Sequence, residues 1–343
     1  MMKAMVLRHF GFPLCLEEIE KPKPGPGEVV IRVQACGVCR TDLKIISGKM
    51  PIRPALPHIL GHEPAGDICE LGEGVSGLSI GDRVAVYFYR SCGSCFFCRT
   101  GLDTSCENQK GQIGFTAHGA YAEYLLVPAT NVARLAPSVS YAEGAIIADA
   151  IATTVQGLKK RAQLQAGETV LVVGIGGLGL HAVQVASLMG ARVIAVDRDD
   201  AKLQLAATLG ADLTFNANAS DLATTIRSAA SGIGVDITVD LVGRTSTTAL
   251  CIAAARSGGR LLVLGYDTSC TVEVPSAELV IRQLSLIGSR ATTLGSFREA
   301  VSLVNSGQIK PVVTDHFRLE DANKVLEMLG EGKFMGRAVM HVD

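Results

Sequence analysis

The sequence predicts an α/β protein in two parts, a mostly β region followed by a doubly wound parallel sheet. Three observations predict it. Short β-branched runs alternate with Pro- and Gly-rich turns as far as about Pro137, a strand-then-helix rhythm sets in beyond Ala150, and a Gly-x-Gly-x-x-Gly run falls between the first strand and helix of that rhythm. A length of 343 residues suits two domains whose cores need no disulfide staples. With 48% hydrophobic and 19% charged residues, the composition is that of a packed body and not of a disordered chain. The 32 Lys and Arg against 33 Asp and Glu leave a formal charge of -1, so no global field draws in nucleic acid or an anionic membrane.

In the first region the β-like runs are Val29 to Val33, Arg83 to Phe88 and Tyr121 to Val127, punctuated by turns such as Gly81-Asp82. In the second, strands at Thr169 to Val173, Arg192 to Val196, Asp236 to Asp240 and Arg260 to Leu264 alternate with helices ending near Met189, Leu209 and Ala255. Such alternation requires right-handed crossovers and a parallel sheet. Helices near Phe297 to Val304 and Leu319 to Leu329 follow, in a tail too short for a core of its own. The expected organisation is therefore a first domain over 1–150, completed by 290–343, around a second domain over 151–289. The uncharged stretch Thr169 to Ala191 is long enough to span a membrane, but Gly174, Gly176, Gly177 and Gly179 break it into strand, turn and helix. No membrane partner is expected, and the charged N-terminus at Lys3 and Arg8 points to the cytoplasm.

Between the first strand and helix of the second region, the turn Val173-Gly174-Ile175-Gly176-Gly177-Leu178-Gly179 carries a dinucleotide fingerprint and marks a Rossmann domain. The first glycine permits the turn, the second lets backbone approach a pyrophosphate, and the third lets helix and strand pack closely. Asp197, at the end of the next strand, stands where a carboxylate accepts the ribose hydroxyls; its charge repels a 2'-phosphate and favours NAD. Arg198 beside it leaves a contact for NADP open.

Seven of the ten cysteines lie between Cys36 and Cys106, a clustering that favours metal over disulfides. Cys92, Cys95, Cys98 and Cys106 can close a tetrahedral shell around a structural zinc, with an iron-sulfur site or free thiols as the competing readings. A second set is sparse: Cys36-Gly37-Val38-Cys39-Arg40-Thr41-Asp42, then Gly61-His62-Glu63. By spacing alone these residues are structural as readily as they are ligands.

Taken in this order with the cysteine lobe and the glycine turn, these motifs resemble the zinc-dependent medium-chain alcohol dehydrogenases over essentially the whole chain. The resemblance implies a GroES-like catalytic domain, a Rossmann domain and a returning C-terminal segment. It further implies hydride transfer between an alcohol, giving aldehyde or ketone, and NAD(H), with one catalytic and one structural Zn2+ per chain in a homodimer or homotetramer. Cys39 and His62 would be ligands of the catalytic zinc, Glu63 the carboxylate near it, and Cys36 no ligand. The register of Ala148-Asp149-Ala150 makes Asp149 the third ligand, where many relatives have cysteine; a helix cap ahead of Ala150 to Leu158 is the competing reading. An acidic ligand there also occurs in polyol and secondary-alcohol enzymes, and these remain the alternative, beside a non-catalytic NAD- and zinc-binding protein. Thr41 matches the first hydroxyl of the proton relay. Lys44 stands at the usual relay histidine and could bind phosphate, pass a proton or be solvated. Arg40 and Arg337 resemble contacts to the cofactor pyrophosphate, and Phe88 and Met50 pocket walls. Cys15, Cys69, Cys251, Cys270 and the histidines other than His62 receive no chemical role.

Overall fold

The computed structural model describes residues 1–342. The chain divides into two compact units, Met1–Ala152 with Thr292–Asp343, and Thr153–Ala291.

The first unit is built on a mixed, largely antiparallel sheet whose spine is the ten-residue strand Glu28–Gly37. It pairs antiparallel with Glu63–Leu71, with Tyr124–Pro128 and with Arg337–His341 near the end of the described chain. Register decides where the chemistry falls. Gly37 stands opposite Glu63 on one side and Val339 on the other. Continuing both antiparallel pairings past Gly37 brings Cys39, His62 and Arg337 to one corner of the sheet. A smaller antiparallel sheet of Met2–Leu7, Cys15–Ile19 and His58–Ile59 had no counterpart among the sequence expectations.

Asp149 arrives by a different route. Ser140 caps the helix Tyr141–Ala145, its Oγ accepting from Glu143 N at 3.2 Å while Glu143 Oε2 accepts from Ser140 N at 2.8 Å. The chain then widens into a π-helical turn, Ile147–Ile151. The expected helix start at Ala150 is therefore corrected: Asp149 lies inside a helical stretch whose N-cap is Ile146. Such turns recur at functional sites because they re-aim one side chain.

In the second unit six parallel strands run in the order Leu213–Asn216, Arg192–Asp197, Thr169–Val173, Val235–Asp240, Ala255–Val263, Ser285–Gly288. This is the 3-2-1-4-5-6 order of a doubly wound dinucleotide fold. The inner strands read as continuous apolar runs because helices cover both faces, with Leu171, Val173, Ile194, Val196 and Leu261 packed in one core. The first and last of these strands, too short and too polar to show a pattern, escaped the sequence reading. The segment after the helix Thr245–Ala254, expected to begin as a strand only at Arg260, is extended from Ala255. Among the described residues no helix is long and apolar enough to cross a membrane.

The glycine turn explains its own composition. Gly174 has φ +96°, and a Cβ on Gly179 would stand 2.1 Å from the Gly174 carbonyl oxygen. Gly179→Ala must therefore push the helix Gly179–Leu188 off its strand. The expected cost is about 1–3 kcal/mol, read as a lowered thermal midpoint by calorimetry, whereas Gly176→Ala, which meets nothing within 4 Å, leaves that midpoint in place.

Candidate active site

In the corner of the first unit's sheet, Cys39, His62, Glu63 and Asp149 each offer a donor atom, and all four atoms lie within 4.8 Å of one another. Cys39 and His62 are 7% and 1% exposed, and Glu63 is fully buried. Cys39 Sγ is 3.4 Å from Asp149 Oδ2 and 3.5 Å from Thr41 Oγ1. With bonds of ~2.3 Å to sulfur and ~2.0 Å to oxygen, a tetrahedral zinc holds those two atoms about 3.5 Å apart. The donor set and its spacing fit a zinc ion.

The surroundings orient these donors. Asp42 is fully buried at the third position of the helix Arg40–Ile46; its Oδ2 accepts from Cys39 N and from the Tyr121 hydroxyl, both at 2.9 Å. Its other oxygen lies 3.4 Å from His62 Nδ1, too poorly aligned for a hydrogen bond, and both atoms are buried without a partner. His62 Nε2 lies 3.9 Å from Glu63 Oε1. Burial alone would lower the His62 pKa, but the Asp42 carboxylate outweighs it and the imidazole is held well above its usual range. Phe115 and Phe88 pack on the imidazole with centroids at 4.8 and 5.5 Å, an apolar wall around it.

Arg337 stands among these carboxylates. Expected at the cofactor pyrophosphate, it is 5% exposed, with Nη2 2.6 Å from Asp149 Oδ2 and Nη1 3.0 Å from Glu63 Oε1. The reason is register: the last strand pairs with Glu28–Gly37 so that Arg337 falls level with Cys39, its side chain among the carboxylates. Arg337 holds the Asp149 carboxyl below the usual range against the upward push of burial. Glu63, for which burial is the largest effect and Asp149 a further repulsion, is pushed up to about 8 in spite of Arg337. Arg40 is exposed, and Thr41, Lys44 and Met50 are half-buried on or just beyond the same short helix. Asp42, Tyr121 and Phe115 were missed. Asp42 alone carried a signal, an acid three residues after a proposed ligand.

Cys92, Cys95, Cys98 and Cys106 form a second group. Their sulfurs are 3.5 Å apart for Cys95 and Cys98, and 3.9 Å for Cys92 with Cys98 and for Cys95 with Cys106. Those distances are too long for disulfides and match the edge, about 3.8 Å, of a tetrahedron with ~2.3 Å zinc-sulfur bonds. Backbone N–H groups of Ser94 and Cys95 lower the Cys92 thiol pKa to about 5, so a thiolate is available there near neutrality. The lobe is tied down by Asp103, whose Oδ2 accepts from Tyr87 Oη at 2.5 Å and Leu294 N at 3.0 Å.

In the second unit, Asp197 Oδ2 accepts from Ile175 N at 2.6 Å and Oδ1 from Asp199 N at 3.0 Å. The carboxylate is thus aimed by the glycine turn itself, and each oxygen keeps a lone pair for a ribose hydroxyl. Gly176, Gly177 and Leu178 are half-buried, while Arg198 is exposed with its carbonyl accepting from Asn216 Nδ2 at 3.1 Å.

Known proteins resemble this chain over its whole length. The family pattern of the alcohol dehydrogenase GroES-like domain matches residues 25–137, and that of the zinc-binding dehydrogenase domain matches residues 177–306. An alcohol dehydrogenase of Geobacillus stearothermophilus is 38% identical over 343 residues, covering all of both chains. An NAD-dependent alcohol dehydrogenase of Sulfolobus acidocaldarius is 35% identical over 349 residues, 99% of this chain and 100% of its own. The solved structure of an NAD-dependent alcohol dehydrogenase matches with a TM-score of 0.95 at 33% identity, covering 100% of both chains.

The four-cysteine lobe yields a separable test. Cys95→Ser should remove one zinc per chain by metal analysis and lower the thermal midpoint by about 5 °C or more. NADH binding, expected at the glycine turn of the other unit, should stay near the wild-type value.

Proposed function

The chain belongs to the zinc-dependent medium-chain alcohol dehydrogenase family, and on that premise we propose how its own residues carry out NAD-linked interconversion of an alcohol with an aldehyde or ketone. Zinc, when bound, supplies Lewis acidity, and the nicotinamide supplies the hydride acceptor or donor. Cys39, His62 and Asp149 hold the catalytic ion, and the mutual approach of their donor atoms within 4.8 Å is the observation that carries the assignment. Two anionic donors, with an imidazole that gives up its proton to the metal, match the charge of the cation. Glu63 stands beside the set as a carboxylate that Arg337 holds in place. Cys92, Cys95, Cys98 and Cys106 hold the structural ion.

Thr41, with Oγ1 beside the Cys39 sulfur, is the first acceptor of the alcohol proton, and Lys44, one turn further along the helix, is the candidate for passing it on. Phe88 and Phe115 keep water from the imidazole's face. Gly174, Gly176, Gly177, Leu178 and Gly179 receive the diphosphate, and Asp197 the adenosine ribose. The carboxylate ligand keeps secondary alcohols and polyols as the alternative substrate class. A homo-oligomer is supported by the edge strand Ser285–Gly288, which leaves backbone groups unpaired beside Leu286, Val280 and Ile281, at 48%, 75% and 80% exposure. A cytoplasmic site is supported by ten cysteines that are all free.

Two substitutions test the reading. Asp149→Asn exchanges an anionic oxygen for a weak neutral donor, so zinc content should fall below two per chain and kcat by at least about tenfold. Unchanged zinc and rate would remove Asp149 from the metal site. Asp197→Ser should raise the NAD dissociation constant roughly tenfold and shift preference towards NADP, as read from kcat/KM for the two cofactors. A wild-type preference for NADP would instead give Arg198 the deciding role.

A further inference from the structure

His181 is fully buried in the first turn of the helix Gly179–Leu188, and nothing in the proposed chemistry uses it. Its Nδ1 lies 2.6 Å from the carbonyl oxygen of Gly177, four residues earlier. In a regular α-helix that carbonyl would accept from the His181 backbone N–H. Here the backbone N–H turns to Leu178 O at 3.1 Å. The rungs on either side are regular, Leu180 N to Gly176 O at 3.0 Å and Ala182 N to Leu178 O at 2.8 Å. One rung of the ladder has thus passed from backbone to side chain. Because a carbonyl only accepts, Nδ1 carries the proton.

A trans peptide unit is planar, with its C=O and N–H pointing in opposite directions. Drawing the Gly177 carbonyl onto the imidazole therefore aims the N–H of Leu178 the other way, out of the helix start. Among the described residues that N–H has no hydrogen-bond acceptor. Without such a lock the peptide would turn easily, since Gly177 has no side chain to restrict it. We infer that His181 is a positioning residue for the cofactor: it locks the Gly177-Leu178 peptide so that the Leu178 N–H is presented, pre-aimed, to the diphosphate of NAD(H). The inference rests on the glycine turn being the diphosphate site, and it adds a residue outside the Gly-x-Gly-x-x-Gly pattern to that site's machinery.

The test titrates the zinc-loaded enzyme with NADH in the absence of alcohol, following cofactor fluorescence, and adds steady-state kinetics. His181→Leu should weaken NADH by about 5- to 20-fold and raise KM for NAD alike, with kcat at saturating NAD and KM for the alcohol within about twofold. His181→Asn places an amide nitrogen where Nδ1 lies and should restore tight binding. His181→Gln carries its amide where Nε2 lies and should not, and this polar pair decides the matter if the leucine variant does not fold. Wild-type affinity in His181→Leu, or equal loss in the Asn and Gln variants, would overturn the role of His181. Failure of the wild type to bind NADH would instead strike the assignment of the turn itself.

Discussion

Anionic groups crowd one buried corner of the first unit, and the positive charge of Arg337 between Glu63 and Asp149 is the constraint to which the rest of that corner answers. At an effective dielectric of 20, two unit charges 4 Å apart repel by about 4 kcal/mol, and burial denies them the screening of salt. A guanidinium with one nitrogen on each carboxylate offsets that repulsion in a fixed geometry, which an ammonium could not do. The relief is unequal. Burial, with the Asp149 charge as a further repulsion, pushes Glu63 up to about 8, whereas Arg337 holds the Asp149 carboxyl below its usual range.

The geometry that brings these charges together is long-range, whereas the nucleotide turn is local. Cys39, His62 and Arg337 meet because two antiparallel pairings of one strand end at Gly37. Asp149 joins them from a π-turn on another element. Behind them Tyr121 and the Cys39 backbone both donate to Asp42, so the carboxylate facing His62 is itself fixed. The glycine turn needs no such assembly. Its strand, turn and helix are contiguous, and Asp197 completes it from the neighbouring strand through a single bond to Ile175 N.

That contrast accounts for what could be read from the residues alone. The parallel sheet was legible because both faces of its inner strands are covered, which leaves uninterrupted apolar runs such as Val170 to Val173. The four-cysteine lobe was legible because its donors are close in sequence. The ion pairs of Arg337 with Glu63 and Asp149 were not legible, because no local pattern records which strand the segment Arg337–His341 will pair with. Asp149 was noticed by its position, yet its setting within a π-turn has no signature in Ile147-Ala148-Asp149-Ala150-Ile151. Phe115 lies in a stretch of glycines and turns, where an aromatic residue carries no periodicity to say what it faces, and Tyr121, expected to open a strand, instead precedes the strand Tyr124–Pro128.

The placement of Arg337 on the final strand also bears on the order in which the protein is made. Cys39, His62 and Asp149 leave the ribosome early, but the cation that neutralises their corner is translated only after the entire second unit. At about 5–20 residues per second, the wait between His62 and Arg337 is on the order of tens of seconds. During that interval the first unit lacks two strands of its sheet, Val313–Arg318 and Arg337–His341, and carries uncompensated acidic groups. A nascent chain in this state has reason to capture a metal ion, or to stay open, until its last strand arrives.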